Sequence, residues 1–186
     1  SDYSLLDGAQ PIKQMVDRTK ELGMNSIALT DHGNMFGAVD FYLQCEKKGI
    51  RPIIGMEAYI VGKGSRTIKQ AAKGHRQRTY HIILLCKDIQ GYKNLMKLSS
   101  SSFLEGFYYK PRMDKELLRK HSEGLIGLSA CLNGEITRLH LDGKDIEAQH
   151  AVEENIDIFG ENSFNMKIFC EAIVRIFAIF FIFFLI

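Results

Sequence analysis

The chain has 186 residues, 46% of them apolar and 25% charged; this excludes a disordered tail, a collagen or a disulfide-stapled miniprotein and fits a soluble globular domain. Lys and Arg number 24 against 22 Asp and Glu, a net charge of +2, too small to indicate nucleic acid or an anionic membrane by itself. Cys45, Cys86, Cys131 and Cys170 form no CxxC pair, which excludes a zinc-finger pattern and points to reduced thiols in a cytoplasmic protein.

Residues 1–10 lack the basic stretch and apolar run of an export signal. The absence of an initial Met suggests that the natural N-terminus lies upstream. Residues 11–22 read as a helix, with Pro11 at its start, Ile12, Met15, Val16 and Leu22 at helical spacing, and Gly23 as its stop. The apolar run 26–30 predicts a buried strand, 38–48 a helix closed by Gly49, and 52–61 a second strand. Residues 80–86 predict a third strand and 89–98 a helix. Asp114 is a suitable N-cap for a helix over 115–120. Residues 125–130 predict a fourth strand, and 146–159 a helix ended by Gly160. No internal repeat is visible.

Strands alternating with helices, each strand apolar on both faces, predict an α/β fold with a mostly parallel sheet, open or closed into a barrel. Chemistry in such folds collects at the carboxyl ends of the strands. Polar residues sit there: Asp31 and His32 after 27–30, Glu57 after 53–56, and Cys131 after 125–130. His81 instead begins its strand, so the fold must decide which way it faces. Each of these side chains alone has an ordinary structural explanation, as a turn residue, a surface acid, a core histidine or a small buried thiol. Together they form an imidazole, carboxylate and thiolate set suited to zinc or another transition ion near a phosphoryl group. Asp31 would orient the His32 ring from behind rather than bind an ion. Asp7, before Gly8, is a further carboxylate candidate, equally explicable as a turn residue.

Residues 62–79 carry Lys63, Arg66, Lys69, Lys73, Arg76 and Arg78 and no acid. A solvated loop explains such a run, and a phosphate-contacting arm for DNA is the sharper alternative. The apolar end, residues 176–186, is too short for a bilayer span, which needs roughly twenty residues. It reads as a buried terminal segment or as sequence foreign to the domain, with no membrane expected and self-association the expected liability.

Five segments occur in order: Tyr3-Ser-Leu-Leu-Asp-Gly8, Leu29-Thr-Asp-His-Gly-Asn34, Arg51-Pro-Ile-Ile-Gly-Met-Glu57, Gly106-Phe-Tyr-Tyr-Lys-Pro-Arg112 and Leu128-Ser-Ala-Cys-Leu132. Over residues 1–168 the chain resembles the PHP (polymerase and histidinol phosphatase) family, in the form found at the N-terminus of the alpha subunit of bacterial DNA polymerase III. Residues 169–186, rich in Phe, do not share the likeness. The resemblance implies a distorted (β/α)7 TIM-like barrel, incomplete here, and a cluster of divalent metal ions, often zinc or manganese. Matched by motif, the ligands would be Asp7, His32, Glu57, His81 and Cys131. It also implies a metal-dependent phosphoesterase with 3′-5′ exonuclease activity in some lineages and a structural role in others. Implied partners are DNA, the polymerase modules and the other holoenzyme subunits. The family's opening His-x-His pair would stand just before Ser1 and its closing Asp-x-His pair beyond residue 186. The chain is therefore expected to be a gene fragment that binds metal weakly and is inactive alone, while its parent is a DNA-directed DNA polymerase. A non-catalytic scaffold and a small-molecule phosphatase are the other readings.

Overall fold

The computed structural model describes residues 1–5, 7–69 and 77–166. Cys170, Lys73, Arg76 and the apolar end at 169–186 lie outside the described residues. In chain order the elements are α1 (Ile12–Glu21), β1 (Ser26–Leu29), α2 (Ala38–Lys48), β2 (Arg51–Val61), β3 (Thr79–Cys86), α3 (Ile89–Leu104), β4 (Arg112–Met113), α4 (Lys115–Lys120), β5 (Leu125–Leu128), α5 (Glu135–Leu141), α6 (Asp145–Phe159) and β6 (Phe164–Asn165). Local chemistry sets several of these boundaries. Asp88 caps α3 by accepting the Gly91 N–H, and Asp114 caps α4 by accepting that of Leu117. Gly49 ends α2 at φ 66°, where a side chain would be strained.

The six strands form one sheet in the order β1-β2-β3-β5-β6, with β4 also on β2. One edge of β2 is shared along its length. β1 pairs in parallel with its first half from Ser26↔Arg51 to Leu29↔Ile54, His32 bridges to Glu57, and β4 pairs in parallel at Tyr59↔Arg112 and Ile60↔Met113. The other edge of β2 runs antiparallel to β3, and β3 is antiparallel to β5. The expectation of a mostly parallel sheet is therefore corrected: the sheet is mixed. The physical reason lies in the connection between β2 and β3, which has no helix among its described residues. A parallel neighbour needs a crossover, usually a helix, whereas an antiparallel one does not.

Alternation along β2 and β3 divides the sheet into two chemically different faces. Met56, Ala58 and Ile60 with Tyr80, Ile82 and Leu84 face a core completed by Leu95 and Leu98 of α3, Met113, Leu117, Leu118, Leu125, and Ile158, Phe159 and Phe164. Glu57, Tyr59 and His81 alternate with these residues and turn to the opposite face. The two strands are thus not apolar on both faces, as the sequence had indicated. A second core joins Ile12 and Val16 of α1 to Leu29, Phe41, Cys45 and Ile50. Cys45, Cys86 and Cys131 are all unpaired thiols. No helix among the described residues is long and apolar enough to cross a membrane.

Candidate metal centre

The reversal of β3 resolves the position of His81. In the antiparallel register His81 lies opposite Tyr59, and Ile83 opposite Glu57, so the start of β3 comes back to the middle of β2. His81 and Glu57 are diagonal neighbours on one face, and His81 Nδ1 is 2.6 Å from Glu57 Oε1. His32 arrives from the other edge of β2. The turn after β1 is stitched to that strand by the Glu57 N–H donating to Asp31 O at 3.0 Å and the Gly33 N–H donating to Glu57 O at 2.9 Å. Gly33 is required in this turn: at φ +66°, an added Cβ would meet the Tyr59 ring at 2.9 Å and Pro111 at 3.0 Å.

These constraints bring one donor atom each from His32, Glu57 and His81 within 4.8 Å of one another. His32 Nδ1 lies 3.7 Å from Glu57 Oε1 and, although buried, has no hydrogen-bond partner. A polar atom buried without a partner is costly, and a ligand site accounts for it. Cys131 approaches the same group, its Sγ 3.9 Å from His81 Nδ1. Its loop is fixed by the His81 N–H donating to Asn133 O at 3.0 Å and by the Asn133 N–H reaching Cys131 Sγ at 3.4 Å. Ala130, directly before it, is buried with φ +61°, a left-handed conformation that a non-glycine residue adopts at a cost.

Asp7 is exposed and holds the far side of His32, its Oδ2 2.5 Å from Nε2. With Nε2 engaged by Asp7, Nδ1 is the ring nitrogen on the Glu57 side. Asp7 thus reaches the ring of a candidate ligand rather than the space between the donors. The Asp31 carboxylate is directed elsewhere than the expected position behind the ring. It accepts from the Ser1 amino group at 2.6 Å, the Ser1 hydroxyl at 2.8 Å and the Ser4 hydroxyl at 2.7 Å. Ser4 Oγ in turn accepts the His32 backbone N–H at 3.0 Å, so Asp31 holds the backbone of His32 and not its imidazole.

The basic segment is only partly free. Lys63 and Lys69 are exposed. Arg66 is turned inward, where its Nη1 donates to both Asp114 oxygens at 3.0 and 3.1 Å and its guanidinium also pairs with Glu105. Arg78 pairs with Asp142. Neither arginine stands free for a phosphate, because each neutralises a local carboxylate. Burial pushes the Asp114 carboxyl up, but hydrogen bonds from the Arg66 and Leu117 backbone and the Arg66 charge prevail and hold it below its ordinary 3.8. A depressed carboxyl contributes stability that is full above the unfolded value and is lost as pH falls through the lower folded value. Asp114→Asn should therefore cost about 1–3 kcal/mol at neutral pH. It should also flatten the acid side of the stability curve below pH 3.8, as read by urea melts across pH.

Two residues at the rim were not singled out from sequence. Tyr59 stacks on His32 with centroids 6.4 Å apart and meets His81 edge-on at 5.1 Å. Lys110 Nζ sits 4.2 Å above the Tyr59 ring. Tyr59 was legible through the period of two that places it on the same strand face as Glu57; Lys110 carried no local signal beyond its motif.

Residues 1–169 match the family described as the PHP domain. The DNA polymerase III subunit alpha of Borreliella burgdorferi is 49% identical over 168 residues, 90% of this chain and 14% of that protein. That of Treponema pallidum is 45% identical over 168 residues, with the same coverage of 90% and 14%. In Helicobacter pylori strain J99 the match is 56% identical over 136 residues, 73% of this chain and 11% of the relative. The chain thus spans a small share of the length of the relatives it matches. Among solved structures, an amidohydrolase from Chromobacterium violaceum with bound sulfate aligns with 81% of this chain and 46% of its own at 19% identity and a TM-score of 0.35.

Proposed function

Because the chain belongs to the PHP domain family and is homologous to DNA polymerase III alpha subunits, we propose that it is part of a metal-dependent phosphoesterase centre within such a subunit. The substrate would be DNA, cleaved from the 3′ end, and the surrounding fold an open form of the distorted (β/α)7 barrel. The parent protein would act in replication as a cytoplasmic DNA polymerase, with DNA and the other holoenzyme subunits as partners. One observation carries this reading: donors from three separate segments converge within 4.8 Å on a buried, unpartnered imidazole nitrogen.

The residues fit a divalent ion such as zinc or manganese, which nitrogen and carboxylate donors accept. His32 through Nδ1, Glu57 through Oε1 and His81 would hold it, with Cys131 as a further donor at the edge. When bound, such ions polarise a phosphoryl oxygen and activate water. The chain's own residues prepare the site. Asp7 holds the His32 ring at Nε2, while Glu57 holds the His81 ring through a 2.6 Å bond.

The test is a chain extended at both ends to include the family's His-x-His and Asp-x-His pairs. It should retain metal through dialysis and shorten a single-stranded oligonucleotide from its 3′ end, and His81→Ala should abolish both. An extended chain with neither metal nor hydrolysis would overturn the reading in favour of a structural domain.

A further inference from the structure

The rim of the centre continues into a row of exposed aromatic rings that the proposed hydrolysis does not use. Phe36, Phe103 and Phe107 are 68%, 37% and 49% exposed. Their centroids follow one another at 6.1 and 6.2 Å, the second pair stacked at 20°. None of the three rings belongs to the buried cores, and each is partly exposed.

Both ends of the row are tied to the candidate metal site. Phe36 lies four residues after His32, and the Asn34 amide fixes the interval by donating to His32 O at 3.0 Å and accepting the Phe36 N–H at 3.1 Å. Beyond Phe107 the chain makes a tight reversal, the Tyr108 N–H donating to Lys110 O at 3.1 Å. Tyr109 occupies its tip at φ +60° with 70% of its surface exposed. A bulky aromatic residue is strained in that conformation. The reversal sets Lys110 over Tyr59, which stacks on His32. Lys110 thus joins the turn that follows Phe107 to a ring stacked on a candidate ligand, and a nucleotide chain is recognised by this pairing of rings for the bases with a charge for the phosphate.

We infer that Phe36, Phe103 and Phe107, with Lys110, form a binding track for single-stranded nucleic acid that leads a phosphodiester to the His32–Glu57–His81 group. The inference rests on the phosphoesterase reading for its direction but not for the binding itself. Single strands are specified because unpaired bases expose the faces that rings stack on, whereas a duplex offers only its backbone.

The test is fluorescence anisotropy with the full chain and a labelled oligothymidylate of about twelve nucleotides, within the usual range of site sizes, in the presence of EDTA so that metal plays no part. Stacking on a ring is worth about five- to 150-fold per base. The double variant Phe36→Ala/Phe103→Ala should therefore bind at least roughly tenfold more weakly, while matching wild type in its far-ultraviolet circular dichroism. An abasic oligonucleotide and a duplex of the same length should bind wild type no better than the thymidylate binds that variant. Lys110→Ala should weaken all three probes alike and lower the salt slope by roughly one. Equal binding by wild type and the double variant, equal binding of duplex or abasic probe, or no binding by wild type would overturn the inference. The last outcome would assign the row to a protein surface. Ring-dependent binding in an extended chain that takes up no metal would overturn the phosphoesterase reading alone.

Discussion

Arg112→Leu should destabilise the fold by about 3–5 kcal/mol, because several buried acceptors lose their donor at about 1–3 kcal/mol each. Arg112 is 2% exposed and makes a four-way tie. Its Nε donates to Gly106 O at 2.9 Å, Nη1 to Gln77 Oε1 at 3.3 Å, and Nη2 to Arg66 O at 2.7 Å and Ile68 O at 3.0 Å. It also lies across the Tyr108 ring at 5.3 Å. One planar fork therefore binds the start of the basic segment, its return at Gln77 and the turn that carries the aromatic row. Leucine fills part of the volume and leaves those acceptors without their donor. Arg112→Lys should recover little, because a single ammonium cannot reach four acceptors spread around a plane. A lower urea midpoint at unchanged slope in both variants is the expected result. An unfolding free energy within about 0.5 kcal/mol of wild type, the range of ordinary surface changes, would refute this role.

Glu57→Ala should weaken zinc binding by roughly a hundredfold or more, since loss of an outer partner alone typically costs 10–100-fold and Glu57 is placed as a ligand. It lies 2.6 Å from His81 and 3.7 Å from His32, so it also supplies the only carboxylate between the two rings among the described residues. Glu57→Gln keeps the size and an acceptor for His81 but removes the charge, and should lose affinity by nearly as much. The fold should persist in both, because the side chain belongs to the face opposite the main core. Competition with a chelating dye measures the affinity; zinc binding unchanged in Glu57→Ala would remove the residue from the site.

Much of this arrangement is legible in the sequence because it rests on short-range signals. The strand containing Glu57 and the helix capped by Asp114 follow from apolar periodicity and from one carboxylate at a helix start. Asp114 does accept the Leu117 N–H, and α2 spans residues 38–48 as its pattern indicates. Three elements left no such signal: β4 and β6 are two residues long and α5 only seven, too short for a period to register. Strand direction is a different matter. A local pattern does not state whether β3 returns beside β2 or crosses over, and that choice alone decides whether His81 meets Glu57.

At the site, the residue types and their positions after strands bring His32, Glu57, His81 and Cys131 together as candidates, but not the roles of their neighbours. Asp31 and Asp7 illustrate the limit. Adjacency in sequence favours Asp31 as the partner of the His32 ring, yet successive residues in an extended turn point apart, and Asp31 turns to Ser1 and Ser4 while Asp7 reaches the imidazole. The same limit applies to the basic segment, where a run of cations without acids suggests free charge. The acids that neutralise Arg66 are 39 and 48 residues away and that of Arg78 is 64, and no local reading of the run contains them.

The central claim is that His32, Glu57 and His81 act as one metal-binding group. It is tested most directly by adding zinc to the metal-free chain while following the histidine ring resonances by NMR. The account predicts that the His32 and His81 signals move together and reach completion with one bound ion, and that neither signal moves in Glu57→Ala at the same zinc concentration. Zinc that shifts only His121, His140 or His150, or that leaves the His32 and His81 rings unchanged, would contradict it.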